Sequence, residues 1–421
     1  MKKALKTKIR GMDKSQFRRL RELTHHAKNL YNQTLWTLRE AFDATGLYFS
    51  YPQMDKVMKQ VNNLEGEINY KLLKAKVSQQ TLRRLDKNFK SFFMATQGFN
   101  KNPSKYSGKP KHPRFKQNQY DNLIYDYQAF SVKEACIVLE KELKIPLPKQ
   151  LIGKNIKQVE IIPKPHYFQA VFVYEEQDDC FNQVMPNDNV MSIDLGLNNL
   201  ATCVTNGIIK PFIIDGRRIK SINAYYNKQK AKIQSELEKS RGKKWSNRLQ
   251  SLTDWRNARI NDYLHKASAD VVKTCLIHNL SKVVVGDVAK SLNHINLGKK
   301  TNQNFVNLSL GQFVDKLRYK LEQHGIKLIV ANESYTSKAS FVDNDKMPKT
   351  YNKKAKPSYS GKRIKRGLYK SQNGILINAD VNGAYNILRK NDSNFSFGKL
   401  IEKVSIYVNG WLHPTERILI K

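Results

Sequence analysis

The sequence predicts a multidomain α+β chain, rich in helices toward its N-terminal end and built on an alternating α/β sheet toward its C-terminal end. Three observations carry that expectation. At 421 residues the chain is longer than one hydrophobic core usually organises. Its apolar pattern changes from helical spacing to strand-like runs near residue 120. From residue 190 onward, β-branched strands alternate with amphipathic helices, which is the pattern of an α/β sheet.

The opening "KALKTKIRG" alternates as a short strand, and Asp13 is placed to cap a helix carrying Phe17, Leu20, Leu23, Ala27, Leu30 and Leu35. Helical patterning runs to about residue 95 and is clearest in "SQQTLRRLDKNFKSFF" (78–93), apolar on one face and basic on the other. Within 101–118, "KNPSKYSGKPKHPRFK" mixes Pro, Gly and basic residues and reads as a linker. Residues 120–185 hold the β-like runs "FSVKEACIVLE", "KQVEIIPK" and "YFQAVFVYEE", a small barrel or sheet. "VMSIDLGLNNLATCVTNGIIK" (190–210) is a strand ending in an acid, a Gly turn and a second strand, as at the start of an RNase H-like sheet. Two antiparallel helices fill 219–279 with a bend at Gly242. A buried strand (281–288), a helix (309–324) and another strand (326–334) follow. Residues 337–374 form a polar, Lys-rich insertion, and "GILINADVNGAYNILRK" (374–390) turns from strand to helix. The tail beyond it shows no pattern.

Charge narrows the function. With 74 Lys and Arg against 36 Asp and Glu, the formal net charge is +38, spread along the whole chain. Self-repulsion on that scale opposes compaction unless an anionic partner neutralises it, and nucleic acid is the expected partner. No lipidation signal, basic amphipathic anchor or apolar run of about 18 residues points to a membrane. The cysteines Cys136, Cys180, Cys203 and Cys275 are isolated in apolar contexts, so neither a disulfide framework nor a zinc site is expected. A cytoplasmic protein, associated with the nucleoid when bound to nucleic acid, is the expectation.

Phosphodiester hydrolysis needs charge stabilisation at both the attacking water and the leaving oxygen, which two divalent ions about 4 Å apart can supply. Mg²⁺ takes carboxylate oxygens, so several acids from separated segments are expected to converge. Asp194 ends its strand just before Gly196, and Asp380 opens the last helix of the same α/β pattern. Alone, the first reads as a turn former and the second as a helix cap. Together they follow the first strand and open the last helix of one sheet. For a third acid the sequence offers Asp287 in "VVVGDV" and Glu333 in "IVANESYTSK", the latter one strand over but with the longer arm.

"SIDLGLNNLATCV", "RINDYLHKAS", "VVVGD", "ESYTSKASF" and "GKRIKRGLYK…INADVNGAYNILRK" resemble, in order, the blocks of the TnpB family, insertion-sequence-encoded relatives of type V CRISPR effectors. The resemblance covers most of 190–390. It implies an RNA-guided DNA endonuclease cutting next to a short duplex motif, with guide RNA and target DNA as partners and two Mg²⁺ ions as cofactor. One chain is expected per guide RNA. It also implies a β-barrel wedge domain (1–12 and 119–187) with an inserted helical recognition domain and basic linker (13–118). A RuvC domain of RNase H-like fold (188–336 and 375–392) would carry the helical hairpin 219–279. The insertion 337–374 would bind nucleic acid, and 393–421 would be a C-terminal tail. The family's first and last acids fall on Asp194 and Asp380, and its usual middle Glu falls on Asp287. Some members resemble a rearranged form in which the Glu is displaced to the position of Glu333. The ligand set expected here is Asp194, Glu333 and Asp380, with Asp287 as an auxiliary acid. The family's insertion commonly carries paired CxxC motifs, but 337–374 contains no cysteine, so no zinc is expected and Tyr351, Tyr359 and Tyr369 are candidates to organise it.

Guided recognition leaves sequence reading to base pairing while the protein grips backbone. Candidate backbone contacts are Lys109, Lys111, Arg114 and Lys116, then Arg217 and Arg218, then Lys362, Arg363, Lys365 and Arg366. They cluster near Tyr106, Phe115, Tyr359 and Tyr369, which can stack on unpaired bases. For the short duplex motif, Tyr51, Lys76, Ser78 and Gln80 match family positions. The competing reading is a nuclease-inactive member that binds DNA under RNA guidance and represses transcription. A guide-independent nuclease and a purely RNA-binding structural protein fit the distributed charge or the strand-end acids less well.

Overall fold

The computed structural model describes residues 2–176, 183–242, 245–287, 309–350, 352, 357–404 and 409–420, and Cys180 and Tyr351 lie outside them. The chain divides into two units, Met1–Asp178 and Asp179–Lys421.

In the first unit, β1 (Lys2–Lys8) alternates exposed and half-buried residues, as an edge strand with one face on the core does. Asp13 caps α1 (Lys14–Thr45) by accepting the Gln16 backbone N–H at 2.8 Å, and Gly46, left-handed at φ 67°, ends it. The apolar stripe of α1 (Leu20, Leu23, Ala27, Leu30, Leu35) and that of α3 (Ala75–Lys101; Val77, Leu82, Leu85, Phe89) are buried. Between them lies α2 (Tyr51–Met58). Strands β2 (Leu123–Asp126), β6 (Asn155–Pro163) and β7 (Phe168–Glu175) join β1 in an antiparallel sheet of order β1-β7-β6-β2. A second antiparallel sheet holds β3 (Ser131–Lys133), β4 (Cys136–Glu140) and β5 (Leu143–Pro146). Helices and sheets share one apolar core running from Leu20 and Leu85 to Leu123, Ile137 and Phe172. The helical segment, though inserted in sequence, thus buries its stripes directly on the strands.

The second unit is built on β8 (Val190–Leu195), β9 (Asn199–Thr205), β10 (Phe212–Asp215), β11 (Lys282–Gly286), β12 (Lys327–Ala331) and β16 (Glu416–Ile418), in the order β12-β11-β8-β9-β10-β16. β8, β11 and β12 run parallel, while β9 is antiparallel to both of its neighbours. The strand period of two decides what each face meets. Met191, Ile193, Val283 and Val285 pack with α5 (Asn247–Ile277) and α6 (Leu310–Glu322). Val190, Val204, Val284 and Ala331 pack on the other face with α7 (Ala379–Asn391). The even-numbered positions of β8 belong to the α7 face, and Asp194 is one of them. α4 (Arg217–Arg241) ends at Gly242, left-handed at φ 59°, and Ser246 caps α5, giving the helical hairpin.

Strands β13 (Lys362–Lys365) and β14 (Leu368–Lys370) of the insertion form a three-stranded antiparallel sheet with β15 (Leu376–Asn378), which follows the insertion in sequence. Tyr369 is buried and its hydroxyl donates to the Lys338 carbonyl at 2.8 Å. Asp345 accepts from the Ser340 backbone N–H at 2.7 Å and the Ser360 hydroxyl at 2.6 Å. Phe341 stacks on Tyr385 of α7, ring centroids 4.5 Å apart.

The tail departs from expectation. α8 (Phe397–Val404) and α9 (Asn409–Leu412) bury Leu400 and Leu412 against the α7 layer, and β16 adds to the main sheet by pairing parallel with β10, Phe212 opposite Glu416. The sheet therefore extends beyond 188–336 and 375–392 to include 416–418. Pieces of eight, four and three residues are too short to display a period in sequence. No helix among the described residues is long and apolar enough to cross a membrane.

Candidate metal centre

α7 owes its position to a row of asparagines four residues apart. Asn378 caps the helix, its Oδ1 accepting the backbone N–H groups of Asp380 (3.0 Å) and Val381 (3.1 Å). Asp380 itself is thus not the cap, and its carboxylate is left for other partners. Buried Asn382 and Asn386 each donate to the Ala339 carbonyl, at 2.8 and 2.7 Å, and Asn386 also donates to Thr336 at 3.0 Å. These bonds lay the segment after β12 along the helix. They fix Glu333 near the sheet's α7 face, with Lys390 Nζ holding the same turn through the Ser334 carbonyl at 2.8 Å.

Two glycines make room for the acids. A Cβ on Gly383 of α7 would lie 2.9 Å from Asp194 Oδ2, and one on Gly286 at the end of β11 would lie 2.6 Å from Glu333 Oε2 and 3.0 Å from Ile387 Cδ1. Only a residue without a side chain lets the helix and the strand come this close to the carboxylates. Burial pushes the Asp194 carboxyl well above the ordinary carboxylate range, and the nearby Asp380 and then Glu333 carboxylates push it further, with the Arg363 guanidinium opposing. Asp194 keeps partial solvent access although protein atoms surround it closely. Asp380 Oδ2 accepts from Asn199 Nδ2 at 2.7 Å, and its Oδ1 lies 3.8 Å from Arg363. The backbone N–H of Asp287 donates to the Ala331 carbonyl at 2.8 Å, continuing the β11–β12 pairing.

Asp380 and Glu333, from two other segments, thus both act electrostatically on Asp194. Among the described residues no three His, Cys, Asp or Glu side chains stand as a ready-made cluster around an ion. The donors are nonetheless all hard carboxylate oxygens, and the two glycines clear their approach. That chemistry suits Mg²⁺.

The predicted nucleic-acid residues divide. Lys109, Lys111 and Arg114 are exposed on the linker, and Lys362, Lys365 and Arg366 are exposed on the β13 hairpin. Lys116 is drawn inward, pairing with Asp121 at 2.7 Å and standing 4.7 Å over the Tyr31 ring. Arg217 pairs with Asp215 at 2.7 Å, and Arg218 Nη1 donates to the Ile420 carbonyl at 2.8 Å, so both secure the sheet edge. Arg363 faces Asp380. In the first unit, Tyr51 lies 4.2 Å beneath Arg83, Lys76 is half-buried and Gln80 donates to Asp126 at 3.3 Å. Ser78 is fully buried and its hydroxyl donates to the Tyr70 carbonyl at 2.7 Å. Ser78 follows the apolar stripe of α3, and an inward-facing serine satisfies itself on the nearest carbonyl. Asn199, Gly286, Gly383 and Arg417 were missed as site residues. A glycine inside the helical pattern "ADVNGAYN" was the available signal, since it costs about 1 kcal/mol against alanine unless a close approach requires it.

A six-stranded mixed sheet with strand-end and helix-start acids on its α7 face defines an RNase H-like, RuvC-type domain within a multidomain α+β chain. Comparison with known proteins agrees. A family model described as "Probable transposase" (OrfB of IS605) matches residues 171–292, and one described as "Cas12f1-like, TNB domain" matches 311–387. A protein of Escherichia coli (strain K12) named "Putative RNA-guided DNA endonuclease InsQ" is 22% identical over 411 residues, 91% of each chain. A solved Cas12f1–sgRNA–target DNA complex shares the fold, with a TM-score of 0.56 and 13% identity over 93% of this chain and 99% of that one. The two matched models and the Escherichia coli relative agree with the resemblance to the TnpB family read from the sequence.

Proposed function

We propose that the chain is an RNA-guided DNA endonuclease of an insertion sequence, with guide RNA and target DNA as partners, hydrolysing DNA with Mg²⁺ held by Asp194, Glu333 and Asp380. The observation that carries this reading is electrostatic. The carboxylates that act most strongly on Asp194 are Asp380 and Glu333, brought from positions far apart in sequence. Bound there, Mg²⁺ would stabilise charge on the attacking water and the leaving oxygen. The chain's own residues hold the ligands: Asn378 and Asn199 orient Asp380, Lys390 pins the Glu333 turn, and α7 covers Asp194. The exposed bases of the linker and the β13 hairpin are the backbone contacts in this reading, which adds recognition of a short duplex motif and one chain per guide RNA.

The test is to purify the protein with its co-expressed RNA, sequence that RNA, and assay Mg²⁺-dependent cleavage of matching DNA by the parent, Glu333→Ala and Asp287→Ala. Cleavage lost with Glu333→Ala and kept with Asp287→Ala is the expected result. Tight guided binding by the parent without cleavage would overturn the nuclease reading in favour of a guided repressor.

A further inference from the structure

The C-terminal strand reaches the candidate metal centre through one side-chain amide. We propose that Asn199 and Arg417 are positioning residues for Asp380, with Arg417 acting through Asn199. The inference rests on the reading of Asp380 as a metal ligand.

Asn199, at the start of β9, donates from Nδ2 to Asp380 Oδ2 at 2.7 Å. Its Oδ1 accepts from Arg417 Nη2 at 2.8 Å. The other terminal nitrogen of Arg417 donates to Asp215 Oδ1 at 2.7 Å. Asp215 is 4% exposed and also accepts from Arg217 Nε at 2.7 Å and from the Arg217 backbone N–H at 3.0 Å. The backbone sets these groups side by side. Asp215 pairs with Asn199 between β10 and β9, after a register shift, and β16 brings Arg417 alongside on the next strand.

The chemistry of the three groups makes the order directional. A carboxylate only accepts and a guanidinium only donates, so an amide between them has one orientation that satisfies both ends. Asp380 selects the nitrogen end of the Asn199 amide and Arg417 selects its oxygen end, so loss of Arg417 would leave the oxygen unheld and the amide free to tilt away from the acid. Arg417 therefore holds Asn199 against Asp380, and Asp215 holds Arg417 in place. With Oδ2 occupied, the lone pairs of Oδ1 remain on the side of Arg363. Hydrogen-bond partners of this kind, when removed, change metal affinity or activity by about 10- to 100-fold.

The experiment uses the full chain purified with its co-expressed RNA. It reads single-turnover cleavage of matching DNA, guided DNA binding, and Mn²⁺ binding by electron paramagnetic resonance. Asn199→Ala and Arg417→Met are each expected to lower cleavage by about 10- to 100-fold and to weaken Mn²⁺ binding while guided binding holds. Arg417→Lys, which keeps a donor, is expected to recover part of the loss. The double variant is expected to be no worse than Asn199→Ala alone. Overturning results are an Arg417→Met protein that cleaves within about twofold of the parent, or a double variant whose loss is the product of the single losses, since independent effects multiply. Asp380→Asn is the control: parental cleavage by that variant would remove the ligand reading itself, whatever the coupling between Asn199 and Arg417.

Discussion

Gly383→Ala separates the chemistry of the site from the stability of the helix that covers it. A Cβ at this position would stand 2.9 Å from Asp194 Oδ2 and 3.5 Å from its Cγ, roughly half an ångström inside ordinary contact for the nearer atom. Alanine is the better helix former by about 1 kcal/mol, whereas forcing a methyl into filled space costs about 1–3 kcal/mol. The two effects oppose, so the net change in stability should stay within about 2 kcal/mol. Catalysis has no opposing gain. A misplacement of about 1 Å costs about 100-fold, so a shift of half that size predicts a loss of about tenfold or more in the cleavage step. Thermal unfolding, guided DNA binding and single-turnover cleavage at saturating Mg²⁺ read the three quantities separately. The expected variant is folded and binds normally but cuts slowly. A folded Gly383→Ala protein cutting at the parental rate would refute the reasoning, because Asp194 could not then be packed against α7 during the reaction.

Asp194→Asn and Asp380→Asn should each lower cleavage by about a thousandfold or more while guided binding persists, checked by cleavage and gel-shift assays on the same preparation. The metal-free protein should become less stable as pH rises from the ordinary carboxylate range toward the raised value of Asp194. Its folded state favours the neutral carboxyl, so the stability it contributes is full below that range and is lost as the group ionises. Denaturant titrations across pH check this, and an Asp194→Asn protein with an unchanged pH slope would contradict it. Ser78→Ala should cost about 1 kcal/mol of stability by stranding the Tyr70 carbonyl, and it should leave target choice unaltered in a cleavage screen of varied flanking sequences. Replacing Lys109, Lys111 and Arg114 together with Gln should flatten the salt dependence of RNA binding, by a log–log slope of about 0.7–0.9 for each lost phosphate contact.

Much of this architecture is legible in the sequence because it is local. Asp13 as a cap, the stripes of α1 and α3, the β8–β9 turn at Gly196 and the strand-to-helix step into α7 each declare themselves within a few residues. Period and charge do not say where a side chain commits itself. Lys116, Arg217 and Arg218 look like the other basic residues in sequence, yet each is engaged by a partner that the fold brings up: Asp121, Asp215 and the Ile420 carbonyl. Ser78 reads as polar and is buried, because a single hydroxyl can be satisfied by one carbonyl without leaving the core.

The tail shows why the rest was hidden. A three-residue strand has no alternation to recognise, and its register depends on β10, about two hundred residues earlier. What ties it to the chemistry is a contact between Arg417 and Asn199 across 218 positions, joined to one between Asn199 and Asp380 across 181. Such a chain of bonds exists only once the sheet has formed, because each member is placed by a different strand or helix. An acid read from sequence names a ligand; the bonds that aim it belong to the assembled sheet. If so, removing residues 416–421 should impair cleavage while leaving the linker and the β13 hairpin free to bind RNA, and a truncated protein that cuts as well as the parent would show that β16 contributes nothing to the centre.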